Sequence, residues 1–189
     1  LAEAIPQNLN TNFQYDLSEE DWKRLMTLHE GDHPEWSVEF LKSLANDNVR
    51  NTIIVEELKK LADEGKKILY FSVDQNQAKL IFVALQKLDV SSAYVDKDTD
   101  KKFRKQIIKK FKDTDEINVI CNFNIFSTGF DVPDIDVVFI ARPINSPVLF
   151  NQIVGRGTRG TKMGAKEPNF SLVQVMDKIK SPFSDFDPY

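Results

Sequence analysis

Two stretches of this chain concentrate residues able to handle charged, oxygen-rich ligands. One is Gln152-Ile153-Val154-Gly155-Arg156-Gly157-Thr158-Arg159-Gly160. If it is helical, Gln152, Arg156 and Arg159 stand at i, i+4 and i+7 on one face, with Leu149 and Ile153 on another. Two guanidiniums on one edge suit a polyphosphate, because their planar forks grip oxygens bidentately. The glycines weaken a helix by up to about 1 kcal/mol each relative to alanine, and they let a ligand or second domain come close. A solvated, glycine-broken helix end would account for the same residues. The other stretch runs from Asn122 to Pro133 and includes Thr128, Gly129 and Asp131. Gly129 permits a close backbone approach or a positive φ. Asp131 adds a carboxylate and Pro133 restricts the exit; a polar turn between buried strands is the plainer explanation of this run. A third pattern, His29-Glu30-Gly31-Asp32-His33, has the spacing of a zinc hydrolase, with Glu56 or Glu57 as a third ligand. That chemistry needs an unbroken helix, and Gly31, Asp32 and Pro34 oppose one, so a surface turn is expected.

The elements that must position these residues are readable from periodicity. Leu1 to Asn12 is polar, contains Pro6 and reads as a connector. Ser18 is a helix N-cap followed by acids, and Trp22, Leu25, Met26 and His29 follow at helical spacing. Short helices are expected over 35–44 and over 51–64, the latter ending at Gly65. Beyond Gly65 the rhythm alternates. Strands are expected at 68–73, 92–95, 117–121, 136–140 and 170–175, and helices at 74–88, 99–111 and from Pro147 toward Gly155. Strands apolar on both faces, alternating with helices, imply an α/β fold with a parallel sheet covered on both sides. In such a sheet, ligands sit beyond the carboxyl ends of the strands, where both candidate stretches fall.

Composition narrows the class. With 41% apolar and 29% charged residues among 189, the chain can build a core. Its formal charge of −4 excludes a wholesale basic surface, although 97–112 carries eight Lys or Arg against Asp98, Asp100 and no other acid. That segment is either a solvated helix face or a phosphate-binding surface. The one cysteine, Cys121, excludes an internal disulfide, and it reads as a buried structural thiol rather than a nucleophile. No apolar run reaches the length of a membrane span, so a cytoplasmic protein is expected. The chain opens on Leu1 and closes on a loop-like run to Tyr189, which suggests a piece of something longer.

The motif content resembles a family. Gln152-Ile153-Val154-Gly155-Arg156-Gly157-Thr158-Arg159 resembles motif six of superfamily 2 helicases and translocases, and Gly129-Phe130-Asp131-Val132-Pro133 resembles their motif five. Ile68 to Val73 with the following helix is similar to motif four, and Arg104 with Phe111 is similar to the helix before motif five. Ala141-Arg142-Pro143 and Ser146 give a likeness to restriction-type helicase subunits and their DEAD/DEAH relatives. The resemblance implies a RecA-like lobe of the phosphate-loop NTPase type over 51–177, with a helical lead-in over 1–50 and a tail over 178–189. It would be the C-terminal lobe of a two-lobe motor working on ATP and Mg2+ with an N-terminal RecA-like lobe, on nucleic acid and DNA in particular. Restriction or repair subunits would be further partners. Arg159 would be the arginine finger, Arg156 would assist, and Gln152, Gly155, Gly129 and Asp131 would serve the nucleotide. Ser72, Asn122 and Thr128 would contact the nucleic-acid strand.

The departures are as informative. No Gly-x-x-x-x-Gly-Lys-Ser/Thr occurs, and Asp115-Glu116 precedes a strand rather than following one, so the main phosphate cradle and an acidic metal box are missing. Asn122 and Asn124 stand where the family often has threonine and aspartate. The isolated chain is therefore expected not to turn over ATP. A non-catalytic adaptor for nucleic acid or protein on the same fold is the alternative. A nicotinamide or flavin enzyme lacks its glycine fingerprint here.

Overall fold

The structure is a computed structural model and describes residues 3–26, 36–123, 135–144, 147–155 and 169–182. Its centre is three four-residue strands, β2 (Ile68–Phe71), β4 (Val119–Asn122) and β5 (Val137–Ile140), buried along their whole length. Because side chains alternate across a strand, each feeds two cores. Leu69, Phe71, Ile120 and Val138 face one side, and Ile68, Tyr70, Val119 and Phe139 face the other. Two faces to cover explain why these strands read as continuous apolar runs rather than as alternating ones.

Three further strands complete one parallel sheet: β1 (Glu3–Asp16), β3 (Ser92–Val95) and β6 (Asn169–Lys180). The order is β1-β6-β5-β2-β4-β3. Helices α3 (Asn48–Asp63) and α4 (Gln75–Lys87) cover one face through Ile54, Leu58, Ile81 and Leu85. Helices α5 (Lys101–Asp113) and α6 (Pro147–Val154) cover the other through Ile107, Phe111 and Ile153. Two short helices, α1 (Glu19–Met26) and α2 (Val38–Asn46), precede α3. Phe40 and Leu44 of α2 pack on Phe13 and Val73 in a third, smaller cluster.

Helix ends follow local chemistry. Ser18, Ser37, Asp47, Asp74 and Asp100 each accept a backbone N–H of the first turn that follows. Helix α3 ends as expected at Gly65, whose φ of 77° is the left-handed conformation that glycine adopts most easily. There Gly65 N–H donates to Ala62 O and Lys66 N–H to Leu61 O, closing the paired hydrogen bonds of a Schellman ending.

The first segment departs from its sequence reading. Residues 3–16, expected to be mostly connector, form strand β1, paired in parallel to β6 from Glu3 opposite Asn169 to Asp16 opposite Lys180. An edge strand tolerates Pro6 and polar residues on its open side, which removes the apolar signature. Strand β6 also continues past its expected end at Val175 to Lys180, into the segment expected to be tail. No helix among the described residues is long and apolar enough to cross a membrane.

Candidate functional site

The carboxyl ends of β2, β4 and β5 form one edge held by buried polar groups. Ser72 and Asn122 sit there, each 1% exposed. Ser72 Oγ is within hydrogen-bonding distance of Asp74 O (2.7 Å) and Asn122 O (3.0 Å), while Asn122 Nδ2 donates to Tyr70 O at 2.7 Å. These bonds fix the tips of β2 and β4 to each other. Asn122 Oδ1 is buried and has no hydrogen-bond partner among the described residues. Behind the same edge, Gln77 Oε1 accepts Val73 N–H at 2.8 Å and Gln77 Nε2 donates to Asn51 Oδ1 at 2.8 Å. Asn51 Nδ2 in turn donates to Ala45 O at 2.8 Å. One polar chain thus ties α2, α3 and α4 to the exit of β2.

Next to it lies a buried ion pair. Arg50 of α3, fully buried, donates from Nε to Asp177 Oδ1 at 2.9 Å and from Nη2 to Asp177 Oδ2 at 3.0 Å. Arg50 Nη2 also donates to the carbonyl of Ala141, and Thr11 Oγ1 donates to Asp177 Oδ1. A bidentate pair of this kind is directional, so it sets α3, β1, β6 and the end of β5 in one register.

The residue after Ala141 is Arg142, whose guanidinium lies 5.8 Å from the centre of the Phe123 ring. Its Nε and Nη1 are buried without a hydrogen-bond partner among the described residues, and burial pushes its pKa down from the usual arginine value. Arg142 lines a cleft of about 330 Å³ with Asn8, Phe150, Gln174, Met176 and Asp177.

Helix α6 carries the start of the glycine–arginine run. Ile153 is fully buried and anchors the helix, whereas Gln152 is exposed. Gly155 closes the helix, its N–H donating to Asn151 O at 2.8 Å. A Cβ at 155 would lie 2.8 Å from that same carbonyl oxygen, too close for any side chain without a backbone shift. Glycine at 155 therefore has a local reason as well as the one its motif suggests.

At the tip of β3, Asp96 organises the turn into α5. Its carboxylate accepts from Gln75 Nε2 (2.7 Å), Tyr94 Oη (2.8 Å), Thr99 Oγ1 (2.9 Å) and the Asp98 N–H (3.0 Å). Burial alone would raise its pKa, but the hydrogen bonds from Tyr94, Thr99, Gln75 and Asp98 outweigh that and hold it at about 2. Tyr94 is pushed up to about 12 by burial and by its bond to Asp96. Arg104, which the motif resemblance singles out, donates from Nη2 to the carbonyls of Asp96, Lys97 and Thr99, so here it holds the turn together. Lys101, Lys102, Lys105, Lys109 and Lys112 are exposed along α5. Cys121 is fully buried, and burial pushes its thiol pKa up, in keeping with a structural role.

Of the residues expected to do chemistry, Ser72 and Asn122 are placed at this edge, and Gln152 and Gly155 at the end of α6. Arg156, Arg159, Gly129, Asp131 and Thr128 lie outside the described residues, as do His29 and His33. Arg50, Asp177, Gln77 and Asn51 were not singled out by sequence. Arg50 and Asp177 meet across 127 positions, and no local pattern marks such a pair.

A family model described as the helicase conserved C-terminal domain matches residues 49–161, more than half of the chain. IRC3 of Saccharomyces cerevisiae, a protein named as an ATP-dependent helicase, is 35% identical over 121 residues, which cover 63% of this chain and 17% of that protein. UvrABC system protein B of Thermotoga maritima is 26% identical over 131 residues, covering 67% and 18%. The chain thus spans less than a fifth of either relative. Among solved structures, T4 UvsW superposes with a TM-score of 0.63 at 19% identity, over 97% of this chain and 35% of its own. The C-terminal part of the Fun30 ATPase domain does so with a TM-score of 0.59 at 19% identity, over 74% and 44%. At those identities the structural likeness shows the fold, and the family model supplies the rest: the chain belongs to the helicase conserved C-terminal domain family, as the RecA-like C-terminal lobe of a superfamily 2 helicase or translocase.

Proposed function

We propose that this lobe closes over ATP held by an N-terminal RecA-like lobe, and that the parent protein is a restriction- or repair-type motor tracking on nucleic acid, DNA in particular. In this reading Arg159 is the arginine finger toward the γ-phosphate and Arg156 assists it. Gln152, Gly155, Gly129 and Asp131 serve the nucleotide side. The observation that carries the reading is the family match across 49–161, which spans both the motif-five run and the Gly155 to Arg159 run. The placement of Gln152 supports it: the residue is exposed on α6, four positions before Arg156 in sequence and on a helix anchored by Ile153.

ATP and Mg2+ fit this lobe only as a shared site. Gln152 and the arginines that follow offer donors for phosphate oxygens, but the sequence holds no phosphate-loop lysine with its hydroxyl neighbour. The magnesium ligands are therefore assigned to the other lobe. When bound, Mg2+ would neutralise charge on the transferring phosphoryl group. This chain's part is to orient the nucleotide, exclude water from it and bring a guanidinium to it.

Nucleic acid is assigned to the edge formed by β2 and β4. Ser72 and Asn122 are buried there, so their part is to hold the strand tips in register beneath the loops that touch the backbone. Thr128 and the exposed lysines of α5 are the candidate backbone contacts. The test is nucleic-acid-stimulated ATPase of the full-length parent beside Gln152→Ala and Arg159→Ala, with oligonucleotide binding measured separately. Collapse of turnover with binding retained is expected. A parent without stimulated turnover would favour the non-catalytic adaptor.

A further inference from the structure

Arg142 is a half-buried cation with no anion beside it among the described residues. Nε and Nη1 are shut from solvent with no hydrogen-bond partner among the described residues, and Phe123 supports the guanidinium plane without satisfying any N–H. No carboxylate among the described residues forms an ion pair with it. Asp177 lines the same cleft, but its two oxygens already serve Arg50 and Thr11. A guanidinium cannot escape burial by losing its proton at working pH, so Arg142 keeps a partly desolvated charge that no described residue compensates.

The rest of the cleft suits an oxyanion. Its volume is about 330 Å³, and Asn8 and Gln174 bring carboxamides while Phe150 and Met176 bring apolar wall. Position adds to this. Phe123, beneath the guanidinium, directly follows Asn122 at the tip of β4, and Phe150 is two residues before Gln152 on α6. Arg142 therefore sits between the edge assigned to nucleic acid and the helix assigned to nucleotide. The backbone that places it is fixed from behind, since Arg50 holds the carbonyl of Ala141.

We propose that Arg142 is a phosphate-binding residue of this lobe, taking a phosphoryl oxygen of a ligand that enters the cleft between the tip of β5, β6 and α6. The proposal rests on the reading of the chain as half of a nucleic-acid motor. The phosphate comes either from the nucleotide or from the nucleic-acid backbone, and a single variant series distinguishes the two.

Arg142→Met and Arg142→Lys are made in the full-length parent and checked for fold by circular dichroism and thermal midpoint. Affinity for fluorescein-labelled oligo-dT is measured across a salt series, and half-saturation by ATP is measured in stimulated turnover. If the source is the backbone, Arg142→Met weakens oligo-dT binding about tenfold and lowers the salt slope by about one, with ATP unaffected. If the source is the nucleotide, ATP half-saturation rises about tenfold with oligo-dT unaffected. Lysine keeps part of the effect in either case. The ligand-free thermal midpoint of Arg142→Met is expected at or above that of the parent, because a partly desolvated charge that no described residue compensates has been removed. A folded Arg142→Met with parental affinity in both arms overturns the proposal. Arg159→Ala and the unmutated parent run alongside separate the two readings: unchanged turnover in Arg159→Ala overturns only the arginine-finger role, a parent without stimulated turnover overturns the motor reading, and the oligo-dT arm still decides the backbone case.

Discussion

Replacing Asp177 by leucine removes a carboxylate of similar size and leaves Arg50 with one fixed acceptor, the carbonyl of Ala141. In the native lobe that carboxylate takes two hydrogen bonds from Arg50 and one from Thr11, with Arg50 fully buried and the Asp177 side chain 7% exposed. Breaking such a pair from one side costs about 3–5 kcal/mol, because the surviving charge stays buried without its partner. For a chain of this size, that corresponds to a fall in Tm of roughly 6–20 °C. The loss should be nearly repaired in Arg50→Met/Asp177→Leu, since a well-packed apolar pair of similar volume is often neutral against a buried ion pair. Urea titration followed by far-ultraviolet circular dichroism, on both variants and the parent sequence, measures this directly, with a common slope confirming comparable unfolding. If Asp177→Leu costs under about 1 kcal/mol, or the double variant is as unstable as the single one, the pair is not the buried clamp described here.

Two other outcomes follow from the same geometry. The Asp96 pKa, held at about 2 against an ordinary 3.8, contributes stability that is complete above the ordinary value and is lost as the pH falls from about 4 toward 2. Urea midpoints measured over that range should fall more steeply for the parent sequence than for Asp96→Asn, and equal slopes would remove Asp96 from the account. Cys121 should resist a maleimide reagent in the native chain and label fully in denaturant, because its thiol is buried and its pKa is raised. Rapid native labelling would show that the strand it occupies opens readily.

What could be read in the sequence was local. Asp74 as a helix start, Gly65 as a helix end and Ser92 to Val95 as a strand each depend on residues within a turn of one another, and each is where the pattern put it. The central strands announced themselves because burial on both faces demands unbroken apolar runs. Strand β1 did not. Its pairing with β6 joins residues more than 160 positions apart, and its open edge asks for no apolar signature. The Arg50–Asp177 pair was hidden for the same reason, since Arg50 looks like an ordinary first-turn residue until β6 arrives beside it. Motif spacing marked Gln152 and Gly155, and the structure adds that Gly155 is also required by the close carbonyl of Asn151. For Ser72 and Asn122, the family resemblance implied contact with a nucleic-acid strand, and the structure adds that both side chains are buried and join two strand tips. Only the fold distinguishes a polar group facing a ligand from one holding the edge that does.

The claim that this lobe supplies the arginine finger is tested most directly by single-turnover ATP hydrolysis in the full-length parent, with nucleic acid saturating and nucleotide fully bound. Arg159→Ala should lower the hydrolysis rate constant by about 10³–10⁵ while oligonucleotide affinity stays at the parental value. A rate constant within a few-fold of the parent, under the same saturation, would contradict the assignment of Arg159 and with it the role proposed for this lobe.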